Sequence, residues 1–160
     1  MTAKLAEAGK SGKTARPMDL ALEEAEAARD LGEVPIGAVV VAASGEVLAR
    51  AGNRTLELRD PTAHAELLAI REACARLGSE RLTDCDLYVT LEPCAMCAAA
   101  ISFARVRRLY FGAADPKGGA VEHGPRFFQQ PTCHHAPEII GGVGEAKASE
   151  LLKAFFAARR

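Results

Sequence analysis

Leu87-Tyr88-Val89-Thr90-Leu91-Glu92-Pro93-Cys94-Ala95-Met96-Cys97, continued by Ala98 to Ala104 and Val106-Arg107-Arg108-Leu109-Tyr110-Phe111, decides the fold. Leu87 to Leu91 is a nearly continuous apolar run, the pattern of a short strand covered on both faces and therefore central in its sheet. A helix is expected from about Cys94 to Ala104 and a further strand from Val106 to Phe111. Such a unit pairs its two strands in parallel through a crossover expected to be right-handed.

Working outward, Met18, Leu22, Ala25, Ala28 and Leu31 recur at helical spacing after Pro17, and Gly32 is placed to end that helix. The β-branched run Ile36 to Val41, the turn Ser44-Gly45 and the run Val47 to Ala51 predict a hairpin. Asp60-Pro61-Thr62 signals a helix start, with the helix running to about Leu77-Gly78. Between Gly112 and Gly144 periodicity is lost, and Gly141-Gly142-Val143-Gly144 reads as a turn before a last amphipathic helix, Glu145 to Arg160. The pattern is that of an α/β sandwich, with residues 1–16 read as a flexible N-terminal tail and 17–160 as a single domain.

Composition narrows the classes. At 160 residues, 49% hydrophobic and 26% charged, the chain is neither disordered nor fibrous. The longest apolar stretches, Ile36 to Ala43 and Cys94 to Ile101, are far short of the roughly 18 residues of a membrane helix, so no membrane association is expected. Five cysteines in a chain this large fit free or metal-bound thiols in a reducing compartment, with the cytoplasm expected. The net charge of −1 is a cancellation: residues 1–17 hold four basic residues and one acid, while Phe103 to Phe128 holds Arg105, Arg107, Arg108, Lys117 and Arg126 against Asp115 and Glu122. Near-neutrality therefore leaves room for a small, salt-sensitive RNA footprint.

The chemistry sits in His64-Ala65-Glu66 and Pro93-Cys94-Ala95-Met96-Cys97. Two thiolates separated by two residues can reach one Zn²⁺ from the start of a helix, and a neutral imidazole makes a third ligand. Three protein ligands leave a position open for water, as a catalytic zinc needs, and the positive end of a helix favours both thiolates. His64 and Glu66, two apart on a regular helix, would point about 200° from each other. They converge only at a helix entry, where Glu66 suits general acid/base work rather than ligation.

H-x-E…P-C-x-x-C is a known signature of zinc-dependent nucleobase deaminases, and the sequence resembles the bacterial tRNA-specific adenosine deaminases over most of the chain from Met18. The resemblance is carried by Val34-Pro35-Ile36-Gly37-Ala38-Val39, Gly52-Asn53-Arg54, Asp60 to Glu66, Leu87 to Cys94, Met96-Cys97, Phe111-Gly112-Ala113 with Asp115 and Lys117, and the ending Phe155-Phe156 with Arg159-Arg160. It implies a cytidine-deaminase-like three-layer α/β/α sandwich with a central mixed sheet, a homodimer, and one Zn²⁺ per chain on His64, Cys94 and Cys97. The implied reaction removes the 6-amino group of the wobble adenosine in a tRNA anticodon stem-loop, leaving inosine and ammonia, with Glu66 moving the proton. Asn53 is expected to contact the flipped nucleotide, and Asp115, Lys117, Phe156 and Arg159 to grip the anticodon loop, as stacking aromatics and cations suit splayed single strands. Gly119 to Pro137 departs from the family pattern.

Two other readings stand beside this one: a deaminase of a free base or nucleoside of guanine or cytosine type, and a non-catalytic RNA-binding partner subunit. Cys133, His134, His135 and His123 read as loop packing rather than a second metal site, Cys74 as a small buried residue and Cys85 as a loop thiol. Glu92 reads as a turn-stabilising neighbour of the zinc motif. Of Phe155 and Phe156, one is expected in the core and one exposed to RNA. Arg105, Arg107 and Arg108 are left open between a solvated face, a dimer contact and an RNA contact.

Overall fold

Proline at position 17 opens helix α1 (Pro17–Asp30), where a missing N–H costs nothing and a preset φ favours the first turn. The computed structural model describes residues 16–159, so the expected tail lies outside the described residues apart from Arg16, whose carbonyl accepts the first N–H groups of α1. Gly32, at φ +83°, ends the helix as expected: its N–H bonds Arg29 O while the N–H of Glu33 reaches Ala28 O.

Five strands follow: β1 (Gly37–Val41), β2 (Val47–Gly52), β3 (Asp86–Leu91), β4 (Arg108–Ala113) and β5 (Glu138–Ile140). They form one mixed sheet in the order β2-β1-β3-β4-β5. β1 is antiparallel to β2 and β3, whereas β3, β4 and β5 run parallel. The run Leu87 to Leu91 is therefore the central strand, as its nearly continuous apolar character predicts.

Side chains alternate across this sheet with period two. Ala38, Val40, Leu87, Val89, Leu109 and Phe111 meet helices α2 (Ala65–Leu77) and α3 (Ala95–Phe103) on one face. Val39, Val41, Tyr88 and Tyr110 meet α1 and the last helix, α4 (Glu145–Ala157), on the other. Three layers result, with each large core side chain such as Leu87 or Phe111 contributing about 1.5–3 kcal/mol by burial. Gly37 sets how closely α1 approaches: a Cβ there would fall 1.9 Å from Ala21 O. Its N–H donates to Thr90 Oγ1 at 3.1 Å, tying β1 to β3.

Four expectations are corrected. The second helix begins at Ala65, because the Asp60 carboxylate takes the N–H and O–H of Thr62 and makes a local turn instead of a cap. β4 begins at Arg108 rather than Val106, since Arg105 adopts φ +61° in a turn that delivers Val106 to the core without laddering it. The aperiodic stretch contains β5 and a 3₁₀ turn, Phe127–Gln129. A three-residue edge strand with two exposed residues carries too little alternation to be read from sequence. The last helix ends at Ala157, three residues early. Among the described residues no helix is long and apolar enough to cross a membrane.

Candidate active site

Two helix N-termini meet at the site. His64 is the N-cap of α2, with extended backbone at φ −75° and ψ 150°, so its side chain leaves the helical register that separates it from Glu66 in the first turn. Cys94 is the N-cap of α3 and Cys97 lies three residues on, the spacing at which cap and first-turn side chains meet. His64 Nδ1 lies 3.6 Å from Cys94 Sγ and 3.5 Å from Cys97 Sγ, and all three ligand atoms fall within 4.8 Å of one another.

These distances test the fit to zinc. Tetrahedral bonds of about 2.3 Å to sulfur and about 2.0–2.1 Å to nitrogen separate N and S by about 3.6 Å. The group matches, and it could hold one zinc ion. Cys97 is fully buried while Cys94 is half-buried, so the trio opens toward one side only.

The local field sorts the protons. The Cys97 thiol bonded to it brings Cys94 down to about 4, against burial and with help from His64. Cys97 is pushed up by that same bond, by burial and by Glu66. His64 is raised by its bond to Cys94. Glu66, only 4% exposed, is pushed up to about 7, chiefly by burial. A carboxyl held near neutrality can both take and give a proton at physiological pH.

A groove of about 860 Å³ is lined by Asp115, Lys117, Phe156 and Arg159 together with Val34 and Leu91. Leu91 ends β3, the strand that leads into Cys94, so groove and zinc-type trio share one segment. Four of the five residues expected at the substrate thus come together. Asn53, the fifth, does not line this groove; it is buried and its Oδ1 accepts the N–H of Ala65 at 2.8 Å, capping α2 from outside the helix. Phe155 is buried and Phe156 half exposed, and the Arg159 guanidinium lies 3.4 Å from the Phe155 ring centroid.

Two buried carboxylates outside the ligand set organise the surrounding loops. Glu33 accepts the N–H groups of Leu56 and Glu57, holding the segment after Asn53. Glu92 accepts backbone N–H groups from Asp115, Val121, Glu122 and His123. Sequence signalled Glu92 only by its place beside the zinc motif, and Glu33 by nothing beyond a charge next to an apolar run.

Cys133, His134, His135 and His123 do not gather into a second metal-type group among the described residues. His135 Nε2 lies 2.7 Å from Val106 O, and the Cys133 thiol bonds His135 O. Cys74 is half-buried against the core, and Cys85, in the loop before β3 as expected, is buried within it. Arg107 makes a two-armed pair with Asp86, and Arg108 pairs with Glu138, so both are occupied within the fold.

Residues 12–113 match the family model for the cytidine and deoxycytidylate deaminase zinc-binding region. The chain belongs to that family. At the level of individual relatives, a tRNA-specific adenosine deaminase of Agrobacterium fabrum is 64% identical over 143 residues, covering 89% of this chain and 93% of that protein. A solved structure from work on tRNA:A34 deaminases that edit A to I at the wobble position of transfer RNA is 65% identical with a TM-score of 0.83, covering 85% of this chain and 98% of that one. A guanine deaminase from Nitrosomonas europaea is more distant, at 26% identity and TM-score 0.72, covering 88% and 83%.

Proposed function

We propose that the protein hydrolytically deaminates the wobble adenosine of tRNA to inosine, releasing ammonia. The observation that carries this reading is the groove of Asp115, Lys117, Phe156 and Arg159 on the segment leading into the His64, Cys94 and Cys97 trio. An exposed aromatic ring and two cations on one open cleft suit a base splayed from a single-stranded loop better than a small enclosed nucleobase. The fall in identity from the Agrobacterium tRNA deaminase to the Nitrosomonas guanine deaminase favours the same substrate.

In this reading His64, Cys94 and Cys97 hold zinc, which when bound supplies a Lewis acid able to bring the pKa of water from about 15.7 to about 7. Glu66 accepts one proton from water and delivers it to N1 of the adenine as the remaining hydroxide adds to C6. It then takes the proton of the new C6 hydroxyl and gives it to the departing amine, so that the C6–N bond breaks, the C6 carbonyl forms and inosine keeps the N1 proton. Burial keeps Glu66 near the pKa both transfers need. Asn53 contributes by holding the entry of α2. Residues 17–160 act as one deaminase domain in the cytoplasm. The protein pairs as a homodimer through the face where Phe103 is exposed beside Leu67 and Ile70; a monomeric mass by light scattering would overturn that part.

Incubation with an anticodon stem-loop carrying a wobble adenosine, and separately with free guanine, cytosine, adenosine and cytidine, tests the substrate. Inosine in the stem-loop with no ammonia from the free compounds is expected. Turnover confined to a free base would replace this reading with the guanine-type or cytosine-type one, and no turnover at one zinc per chain would make the protein a binding subunit.

A further inference from the structure

Glu92 is a carboxylate whose side chain is entirely shielded from solvent, yet no cation from the ligand set or the groove touches it. Its Oε1 accepts the N–H of Asp115 at 3.0 Å and lies 2.7 Å from His123 Nδ1. Its Oε2 accepts the N–H groups of Val121, Glu122 and His123 at 3.1, 2.9 and 3.1 Å. Five nitrogens thus converge on one group and offset the cost of burying it. The loop after β4 is wrapped around this carboxylate so closely that a Cβ on Gly119 would fall 2.5 Å from Glu92 Cδ and 2.5 Å from Asp115 O. That loop carries Asp115 and Lys117 to the groove.

We infer that Glu92 is a positioning residue for the RNA substrate, fixing the Asp115–His123 loop so that Asp115 and Lys117 stand at the groove. This rests on the groove's being the RNA site. Buried as it is, Glu92 cannot touch RNA and acts only through the loop. The site requires a carboxylate: every backbone partner is a donor, and an ionised carboxyl offers only acceptors, whereas an amide would turn an N–H₂ against one of them. The segment Glu92-Pro93-Cys94 therefore joins the placement of a zinc thiolate to the placement of the substrate-gripping loop, and the N–H of Ala120 to Pro93 O reinforces the join.

The test compares wild type, Glu92→Gln, His123→Ala and Lys117→Ala by amide hydrogen exchange, zinc content, and kcat and KM on the stem-loop. Glu92→Gln is expected to speed exchange at Asp115, Val121, Glu122 and His123, to keep one zinc per chain, and to raise KM about tenfold or more, the size of one lost charge-assisted hydrogen bond, with kcat changed far less. His123→Ala, which removes one donor of five, shifts the same readouts in the same direction by less, and covers the case in which Glu92→Gln does not fold. Unchanged exchange at those amides overturns the anchor; faster exchange with unchanged KM overturns its role in substrate placement; loss of zinc assigns Glu92 to the metal site instead. If Lys117→Ala leaves KM unchanged while Glu92→Gln raises it, the groove reading fails and the anchor stands.

Discussion

Asn53 Oδ1 accepts the backbone N–H of Ala65 at 2.8 Å, so the side chain after β2 caps the helix whose first residues, on either side of Ala65, are His64 and Glu66. His64 makes no side-chain cap of its own, which frees its imidazole for the Cys94 and Cys97 sulfurs. One amide thereby holds a single helix entry from which both the His64 imidazole and the Glu66 carboxyl depart.

Asn53→Ala removes that cap. A loss of about 1–2 kcal/mol is expected, which lowers Tm by about 2–4 °C per kcal/mol for a chain of this size. Turnover should fall as well, because His64 and Glu66 lose their common reference. Thermal melting and single-turnover rates check this, and an unchanged Tm would remove the capping role.

Glu66→Gln keeps the buried volume and leaves His64, Cys94 and Cys97 in place but removes the carboxyl proposed to carry the proton. Zinc content should stay at one per chain while inosine formation falls by about 10²–10⁴, the usual contribution of general acid/base groups. Metal analysis beside the stem-loop assay decides it; near-normal turnover would reassign the proton transfer.

Phe155 and Phe156 are neighbours with opposite surroundings. Phe155→Ala empties a core site and should destabilise by about 3–5 kcal/mol, also depriving Arg159 of the ring it lies over. Phe156→Ala, at a residue half exposed on the groove, should leave stability within about 0.5 kcal/mol while weakening stem-loop binding by the roughly 1–3 kcal/mol of a stacked base. Denaturation and binding titrations separate the two, and equal stability losses would contradict the assignment.

Chelation should expose an ordered set of thiol reactivities. Cys94, down at about 4, is thiolate at pH 6 and should be alkylated first, whereas burial raises Cys74 and Cys85 and holds them as thiols. Zinc restored beforehand should protect Cys94. Peptide mapping after brief iodoacetamide treatment checks this; Cys74 reacting as fast as Cys94 would refute it.

Much of the fold was legible because the relevant forces are local. The apolar run Leu87 to Leu91 announces a strand buried on both faces, the three-and-four spacing after Pro17 a helix, and Gly32 its end. Asp60 to Thr62 misled because the same side-chain oxygen that caps helices also closes a local turn, and only the surrounding chain selects between them. β5 was invisible because its pairing partner, β4, lies about 30 residues away in sequence and supplies the order that three residues lack on their own.

The amino-acid order alone announces His64, Glu66, Cys94 and Cys97 at a spacing suited to a zinc site, and the strand-helix-strand unit that starts the cysteine pair at a helix entry. It takes the assembled fold to show that Asn53 caps that neighbouring entry and that Glu92 gathers the loop carrying Asp115 and Lys117. The physical reason is range. Side-chain chemistry and helical period are written residue by residue, whereas a buried carboxylate is tolerated only where donors from distant segments converge on it, and that convergence exists only once the sheet has brought those segments together.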